Sequence, residues 1–122
     1  MTYLYVAFGG AIGACLRWFI TSKCELWFGK GMPFGTLAVN VSGSFLLGIV
    51  FVLLQNESLA ESPYKAFLSV GLLGAFTTFS TFSMDTLLFL QQGEWLKAVA
   101  NVVLNVLLCI LAAAIAVHLF KG

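Results

Sequence analysis

The sequence predicts an all-α integral membrane protein with four transmembrane helices. Of its 122 residues, 61% are hydrophobic and only 9% are charged, and the mean hydropathy is +1.01. Soluble domains carry about 25% charged residues, and a soluble globule of this size could not bury so much apolar surface. Backbone groups in lipid must find hydrogen-bond partners within their own segment, so the apolar runs are expected to be helices.

Charged residues and prolines divide the chain into apolar runs near the length of about 20 residues that a helix needs to cross a bilayer. The predicted spans are Tyr3–Ile20, Phe34–Leu54, Ala66–Leu90 and Trp95–Phe120. They are joined by the polar connectors Thr21–Pro33 and Gln55–Lys65 and by a tight turn at Gln91–Glu94. We expect residues 1–122 to form a single transmembrane domain, without a signal peptide or a soluble domain.

Composition excludes several functional classes. Six Lys and Arg against five Asp and Glu give a net charge of +1, so a basic nucleic-acid binder is not expected. The odd set of Cys15, Cys24 and Cys109 has no CxxC spacing, which argues against a disulfide framework or a zinc site. His118 stands alone, and no Ser–His–Asp set or HExxH motif accompanies it, so an enzyme is not expected.

The charges specify membrane orientation only weakly. One side would carry Lys23, Lys30 and Lys97, with Arg17 if it lies near the surface, and the other side Lys65 and Lys121. Under the positive-inside rule this bias is small. Two interpretations therefore stand: a fixed topology with a modest signal, or insertion in both orientations followed by assembly as an antiparallel dimer.

Small residues recur at a spacing that favours close contact between helices. The pairs are Gly9 with Gly13, Gly10 with Ala14, and Ser44 with Gly48. Such pairs can pack helices within one chain or between two subunits, and the sequence leaves both possibilities open.

The third span holds the densest set of polar residues. Five hydroxyl side chains fall between Thr77 and Ser83, directly after Gly71 and Gly74. Glycine and β-branched threonine are weak helix formers, so we predict that this helix is interrupted near the membrane centre. An interruption frees backbone carbonyls and amides that can bind ions. The alternative is a continuous helix whose hydroxyls bond to its own carbonyls.

Three further features of the spans favour an anion. Phe79 and Phe82 are three residues apart, on one helical face, and the edges of their rings carry positive charge. Asparagines at positions 40, 101 and 105 offer amide donors, although each could instead join helices at about 1 kcal/mol. No carboxylate occurs in residues 34–54 or 66–84, whereas a cation pathway usually shows Asp or Glu rings or a carbonyl filter.

Two charged residues near the span ends have open roles. Arg17 could add positive potential to an anion path, or it could extend to the membrane surface. Asp85 could pair with Arg17 or Lys97, or mark the helix approaching the interface.

These residues resemble the bacterial fluoride channels of the Fluc or CrcB family. The resemblance covers essentially the whole chain, and it includes Gly13 to Arg17-Trp18 in the first span and Gly35 to Asn40 at the start of the second. Its most specific part is the run GLLGAFTTFSTFS from Gly71 to Ser83.

The resemblance implies an antiparallel, dual-topology homodimer in the bacterial plasma (inner) membrane, with two separate pores that export fluoride passively. Phe79 and Phe82 resemble the paired phenylalanines whose ring edges face fluoride. Asn40 resembles the pore asparagine at the end of each aromatic pair, and Ser80 and Thr81 resemble the neighbouring hydroxyl positions.

The resemblance also implies a structural sodium ion at the dimer centre, held by the backbone carbonyls of Gly74 and Thr77. Arg17 resembles the arginine that draws anions into the vestibule.

The chain departs from the family at two places. On the fourth span, relatives carry Tyr and Ser where this chain has Asn101, Asn105 and Cys109 at four-residue intervals. The two asparagines keep hydrogen-bond donors and are expected to line the pore, whereas Cys109 is a weak donor with an open role. Asp85 stands where a glutamate is expected, which leaves its role open.

Two other classes remain as alternatives. Small multidrug transporters are also four-span, dual-topology dimers, but they need a membrane-embedded Glu in the first span, where this chain has only Arg17. The other alternative is a non-transporting assembly protein whose polar residues only join helices.

Overall fold

A computed structural model describes residues 2–29, 31–55 and 62–121, which are helical with short connections and contain no strand. The helices are α1 (Thr2–Phe28), α2 (Phe34–Leu53), α3 (residues 63–76), α4 (Phe79–Gln91) and α5 (Trp95–Lys121). Helix α3 combines an α-helical turn at Pro63–Lys65, a π-helical stretch at Ala66–Leu73 and a last α-helical turn at Gly74–Phe76.

Within the described residues, four segments are long and apolar enough to cross a membrane, which confirms the predicted number of spans. They are Thr2–Phe28, Phe34–Leu53, Pro63–Gln91 and Trp95–Lys121. The chain is therefore an all-helical, multi-pass membrane protein. Lys30, Glu57 and Glu61 of the predicted connectors lie outside the described residues.

Helix α1 is longer than its predicted span. It continues through the first part of the Thr21–Pro33 connector, which contains no helix breaker before Gly29. Gly29 ends the helix with a positive φ of 77°, and its N–H donates to the Glu25 carbonyl at 2.8 Å. Gly93 has a similar φ of 76° in the turn between α4 and α5.

Glycines let the helices pack closely within the chain. Helix α1 packs along α3, and α2 packs along α5. A Cβ atom on Gly9 would lie 2.5 Å from the Phe67 carbonyl oxygen of α3, and one on Gly48 would lie 2.8 Å from the Ala116 Cβ of α5. Of the two roles open to these small residues, Gly9 and Gly48 therefore serve packing within the chain.

Replacing Gly13 with alanine is expected to lower the free energy of unfolding by about 1–3 kcal/mol. The new Cβ would collide with the Leu72 carbonyl oxygen of α3. Gly10→Ala is the matched control on the same helix, because nothing lies within 4 Å of the Cβ that it adds. The control is expected to be neutral or stabilising, since alanine is the better helix former. Equal melting temperatures for the two variants in detergent would contradict this packing.

Candidate ion pathway

The third span is interrupted between α3 and α4. Thr77 has φ −86° and ψ 160°, and Thr78 has φ −151° and ψ 117°, so both residues are extended rather than helical. The Thr78 side chain then caps α4 by accepting the Thr81 N–H at 3.1 Å. The interruption falls within the hydroxyl-rich run in which the sequence predicted it.

Asn40 of α2 forms two hydrogen bonds with the extended backbone of Thr78. The Thr78 N–H donates to Asn40 Oδ1 at 2.8 Å, and Asn40 Nδ2 donates to the Thr78 carbonyl at 3.1 Å. The Asn40 amide thus acts like a neighbouring strand: it accepts the Thr78 N–H, which the interruption leaves without a helical acceptor, and it adds a bond to the Thr78 carbonyl. Gly43 allows α2 to come this close, because a Cβ there would collide with Thr77 Cγ2.

The asparagines of α5 continue this hydrogen bonding. Asn40 Nδ2 also donates to Asn105 Oδ1 at 3.0 Å. Asn105 Nδ2 donates to the Asn101 carbonyl at 2.9 Å and to Asn101 Oδ1 at 3.1 Å, and Asn101 Nδ2 donates to Thr86 Oγ1 at 2.9 Å. The two asparagines of the predicted stripe on α5 therefore form, with Asn40, a buried row of amides that links α2 to α4, and Cys109 is not part of it.

A groove of about 380 Å³ opens beside the interruption. Residues that line it include Asn40, Thr77, Thr78, Phe79, Phe82, Asn105 and Cys109. We call it the aromatic groove. The centroids of the Phe79 and Phe82 rings are 5.3 Å apart, with their planes inclined at 55°. Phe82 is 8% exposed, but Phe79 is 77% exposed within the single chain.

A second cavity of about 600 Å³ contains more polar groups. Its lining includes Arg17, Thr36, Thr78, Thr81 and Asp85, and we call it the vestibule. Thr78 lines both the vestibule and the aromatic groove, so the interruption of the third span lies where the two cavities approach each other.

Arg17 is half-buried at the interruption. Its Nε donates to the Ala75 carbonyl at 2.9 Å, near the carboxyl end of α3. A cation is favourable there, because the carbonyls at the end of a helix carry partial negative charge. Arg17 is therefore tied to α3 as well as lining the vestibule.

Asp85 forms neither of the ion pairs that the sequence left open, in the part of the chain that the structure describes. Lys97 pairs with Glu94 at 3.2 Å, and the Arg17 Nε is bound to a backbone carbonyl. The Thr36 hydroxyl lies beside the Asp85 carboxylate. The buried Oδ2 atom of Asp85 has no hydrogen-bond partner among the described residues.

The two hydroxyl residues of α4 that the sequence selected, Ser80 and Thr81, lie in different surroundings. Thr81 lines the vestibule. Ser80 is exposed at the start of α4, with its hydroxyl 3.3 Å from that of Thr78. Sequence reasoning did not select Thr78 and Thr86 as site residues. Thr86 could have been found by helical spacing, since it lies one turn beyond Phe82 and donates to the Phe82 carbonyl at 2.9 Å.

Because of the interruption, two backbone carbonyls lose the N–H donors that they would have in a continuous helix. In a continuous helix, the N–H groups of residues 78 and 81 would bond to the carbonyls of Gly74 and Thr77. Here the Thr78 N–H donates to Asn40, and the Thr81 N–H donates to the Thr78 hydroxyl. Carbonyls of unwound helices can coordinate sodium, so Gly74 and Thr77 fit the predicted ligand role. Among the described residues, no cluster of His, Cys, Asp and Glu could hold a metal ion.

Known proteins resemble this chain over most of its length. The model of the family described as CrcB-like protein, Camphor Resistance (CrcB), matches residues 4–117. A protein named Fluoride-specific ion channel FluC from Alteromonas mediterranea is 56% identical over 98% of this chain and 94% of its own length. Proteins of the same name from Pseudoalteromonas translucida and Vibrio cholerae are 55% and 51% identical over 93% of this chain, and over 95% and 90% of their own lengths.

Proposed function

The chain belongs to the CrcB family, and we propose that it is a fluoride-selective channel through which fluoride leaves the cell passively across the bacterial plasma membrane. The observation that carries the proposal is the aromatic groove, which brings Asn40, Phe79 and Phe82 together beside an interrupted helix. The names of the relatives supply the identity of the ion, since they are fluoride-specific ion channels rather than enzymes.

The chemistry of the groove suits a small anion. Selectivity requires that fixed groups replace the hydration shell of the ion. Hydroxyl hydrogens donate to anions, and the edges of phenylalanine rings carry positive charge. We infer that fluoride enters the vestibule near Arg17, passes Thr81 and Ser80, and then moves along the edges of Phe79 and Phe82 beside Asn40.

We further propose that two chains assemble as an antiparallel dimer with two pores. The aromatic groove is open on one side, and Phe79 is 77% exposed, so a second copy would complete the enclosure that a dehydrated ion needs. The weak charge asymmetry between the two membrane sides supports insertion in both orientations.

A structural sodium ion at the dimer centre fits the same arrangement. The carbonyls of Gly74 and Thr77 have lost their helical donors, and the two subunits together would offer such carbonyls in pairs. When bound, sodium would supply a positive charge that holds the interrupted segments of both chains together.

Protein reconstituted into liposomes loaded with fluoride and chloride is expected to release fluoride and retain chloride. Phe82→Ile is expected to slow fluoride release about tenfold, because each tenfold step corresponds to about 1.4 kcal/mol in the barrier and the variant loses the Phe79–Phe82 ring pair, which is worth about 0.5–1.5 kcal/mol. A fluoride electrode and a chloride electrode measure both rates.

Phe89→Ile is the matched control for this experiment. Phe89 lies on the same helix and is 9% exposed, against 8% for Phe82, but its ring lies near Lys97 and away from the groove. Chloride release as fast as fluoride release would contradict a selective channel. Equal losses in the two variants would remove Phe82 from the pathway.

Removal of sodium is expected to abolish fluoride release. Protein purified and reconstituted with N-methylglucamine in place of sodium should lose flux, because the carbonyls of Gly74 and Thr77 would repel one another without a cation between them. Returning sodium should restore the flux. Full flux after prolonged exchange in sodium-free buffer would contradict a structural sodium ion.

Dual insertion is testable with single cysteines in a background where the native cysteines are replaced by serine. Gln92→Cys and Gln55→Cys place reporters at exposed positions after α4 and after α2, on opposite sides of the membrane. In intact spheroplasts, an impermeant maleimide is expected to label about half of each variant. Full labelling of one variant and none of the other would show a fixed topology.

A further inference from the structure

In the row of amides from Asn40 to Asn101, only one assignment of donors and acceptors is possible. Backbone groups at both ends of the row determine which amide atom is the nitrogen and which is the oxygen. The Thr78 N–H can only donate, so the Asn40 atom facing it must be the oxygen. Asn40 Nδ2 then donates to Asn105 Oδ1, which commits Asn105 Nδ2 to the oxygens of Asn101. Asn101 Nδ2 donates to Thr86 Oγ1, whose hydrogen goes to the Phe82 carbonyl.

This direction uses up the amide donors that an anion would need. An amide nitrogen carries two hydrogens. Those of Asn40 go to the Thr78 carbonyl and Asn105 Oδ1, and those of Asn105 go to the carbonyl and Oδ1 of Asn101. A fluoride ion that took the hydrogen directed at Asn105 Oδ1 or at Asn101 Oδ1 would leave that buried side-chain oxygen without this donor. Asn101 is only 2% exposed and lines neither cavity.

The row touches α4 on both sides of Phe82. At one end Asn40 holds the backbone of Thr78, directly before α4. At the other end Asn101 holds Thr86, one turn beyond Phe82. The Thr78 N–H that bonds to Asn40 is also the one that would otherwise close the helix onto Gly74.

We propose that Asn101 and Asn105 are positioning residues of the fluoride pathway: they act through Asn40 to keep Thr78 extended, and they do not contact the ion. This inference rests on the proposed function and refines the expectation that both side chains line the pore. Hydrogen-bonded side chains in a buried network support one another, so the loss of a distant member should loosen the contact at Thr78.

A double-mutant cycle tests whether Asn105 acts through Asn40. Fluoride release is measured for Asn105→Leu, Asn40→Leu and the double variant, because leucine keeps the branching of asparagine and removes its hydrogen-bonding groups. We expect Asn105→Leu to slow release about tenfold, and the double variant to be no slower than Asn40→Leu alone, because the two residues form one network. Losses that multiply in the double variant would show an independent contact with the ion and overturn the proposal.

Amide hydrogen exchange gives a readout that does not depend on conduction. In Asn105→Leu and Asn101→Leu, the segment 77–81 is expected to exchange about tenfold faster, while α1 exchanges as before. Reduced fluoride release with unchanged exchange in this segment would overturn the proposal. Absence of fluoride release from the unaltered protein would overturn the proposed function instead, and the exchange result would still judge the positioning role.

If the leucine variants do not fold, Thr86→Val provides a milder test. It keeps the shape of the side chain and removes only the Thr86 hydroxyl, which accepts the hydrogen bond from Asn101. It is expected to slow release about two- to fivefold and to speed exchange at 77–81 in proportion. Ser42→Ala is the control, since the exposed Ser42 hydroxyl bonds to Ala38 of its own helix. Unchanged release and exchange in a folded Thr86→Val protein would overturn the proposal.

Discussion

The structure depends on one constraint, which is that backbone N–H and carbonyl groups cannot stay unpaired in a lipid environment. An interrupted third span therefore needs partners from other helices for the backbone groups that it frees, such as the Thr78 N–H and the Ala75 carbonyl. Asn40 accepts the Thr78 N–H and also donates to the Thr78 carbonyl, and Arg17 donates to the Ala75 carbonyl. The closeness of α2 to the interruption, allowed by Gly43, follows from the same requirement.

The spans and the interruption could be predicted because their causes are local. Runs of apolar residues set the number of helices, and Gly71, Gly74 and the threonines weaken the third one. The partners of the interruption could not be predicted in the same way. Asn40 lies 38 residues from Thr78 and 65 from Asn105. Helical spacing shows which face of α5 is polar, but not which atoms that face meets.

The charged residues show the same limit. A sequence places Arg17 and Asp85 near span ends, where opposite charges invite pairing. The sequence does not show that the Arg17 Nε donates to the Ala75 carbonyl, or that Lys97 pairs with Glu94 rather than with Asp85. An ion pair forms only when its geometry compensates for lost hydration and for competing partners. That balance is decided by the packing of α1 against α3, which the charge pattern alone does not contain.

The amide hydrogens of Asn40 and Asn105 are engaged with the Thr78 carbonyl and with other members of the row of amides. In the proposed channel, ring edges and hydroxyl groups would remain for a passing anion. Conduction would benefit from this division, because an ion must be bound well enough to enter a narrow path and weakly enough to leave it. The row of buried amides would keep these contacts at fixed distances. Selectivity would then come from the position of the ring edges rather than from the strength of any one bond.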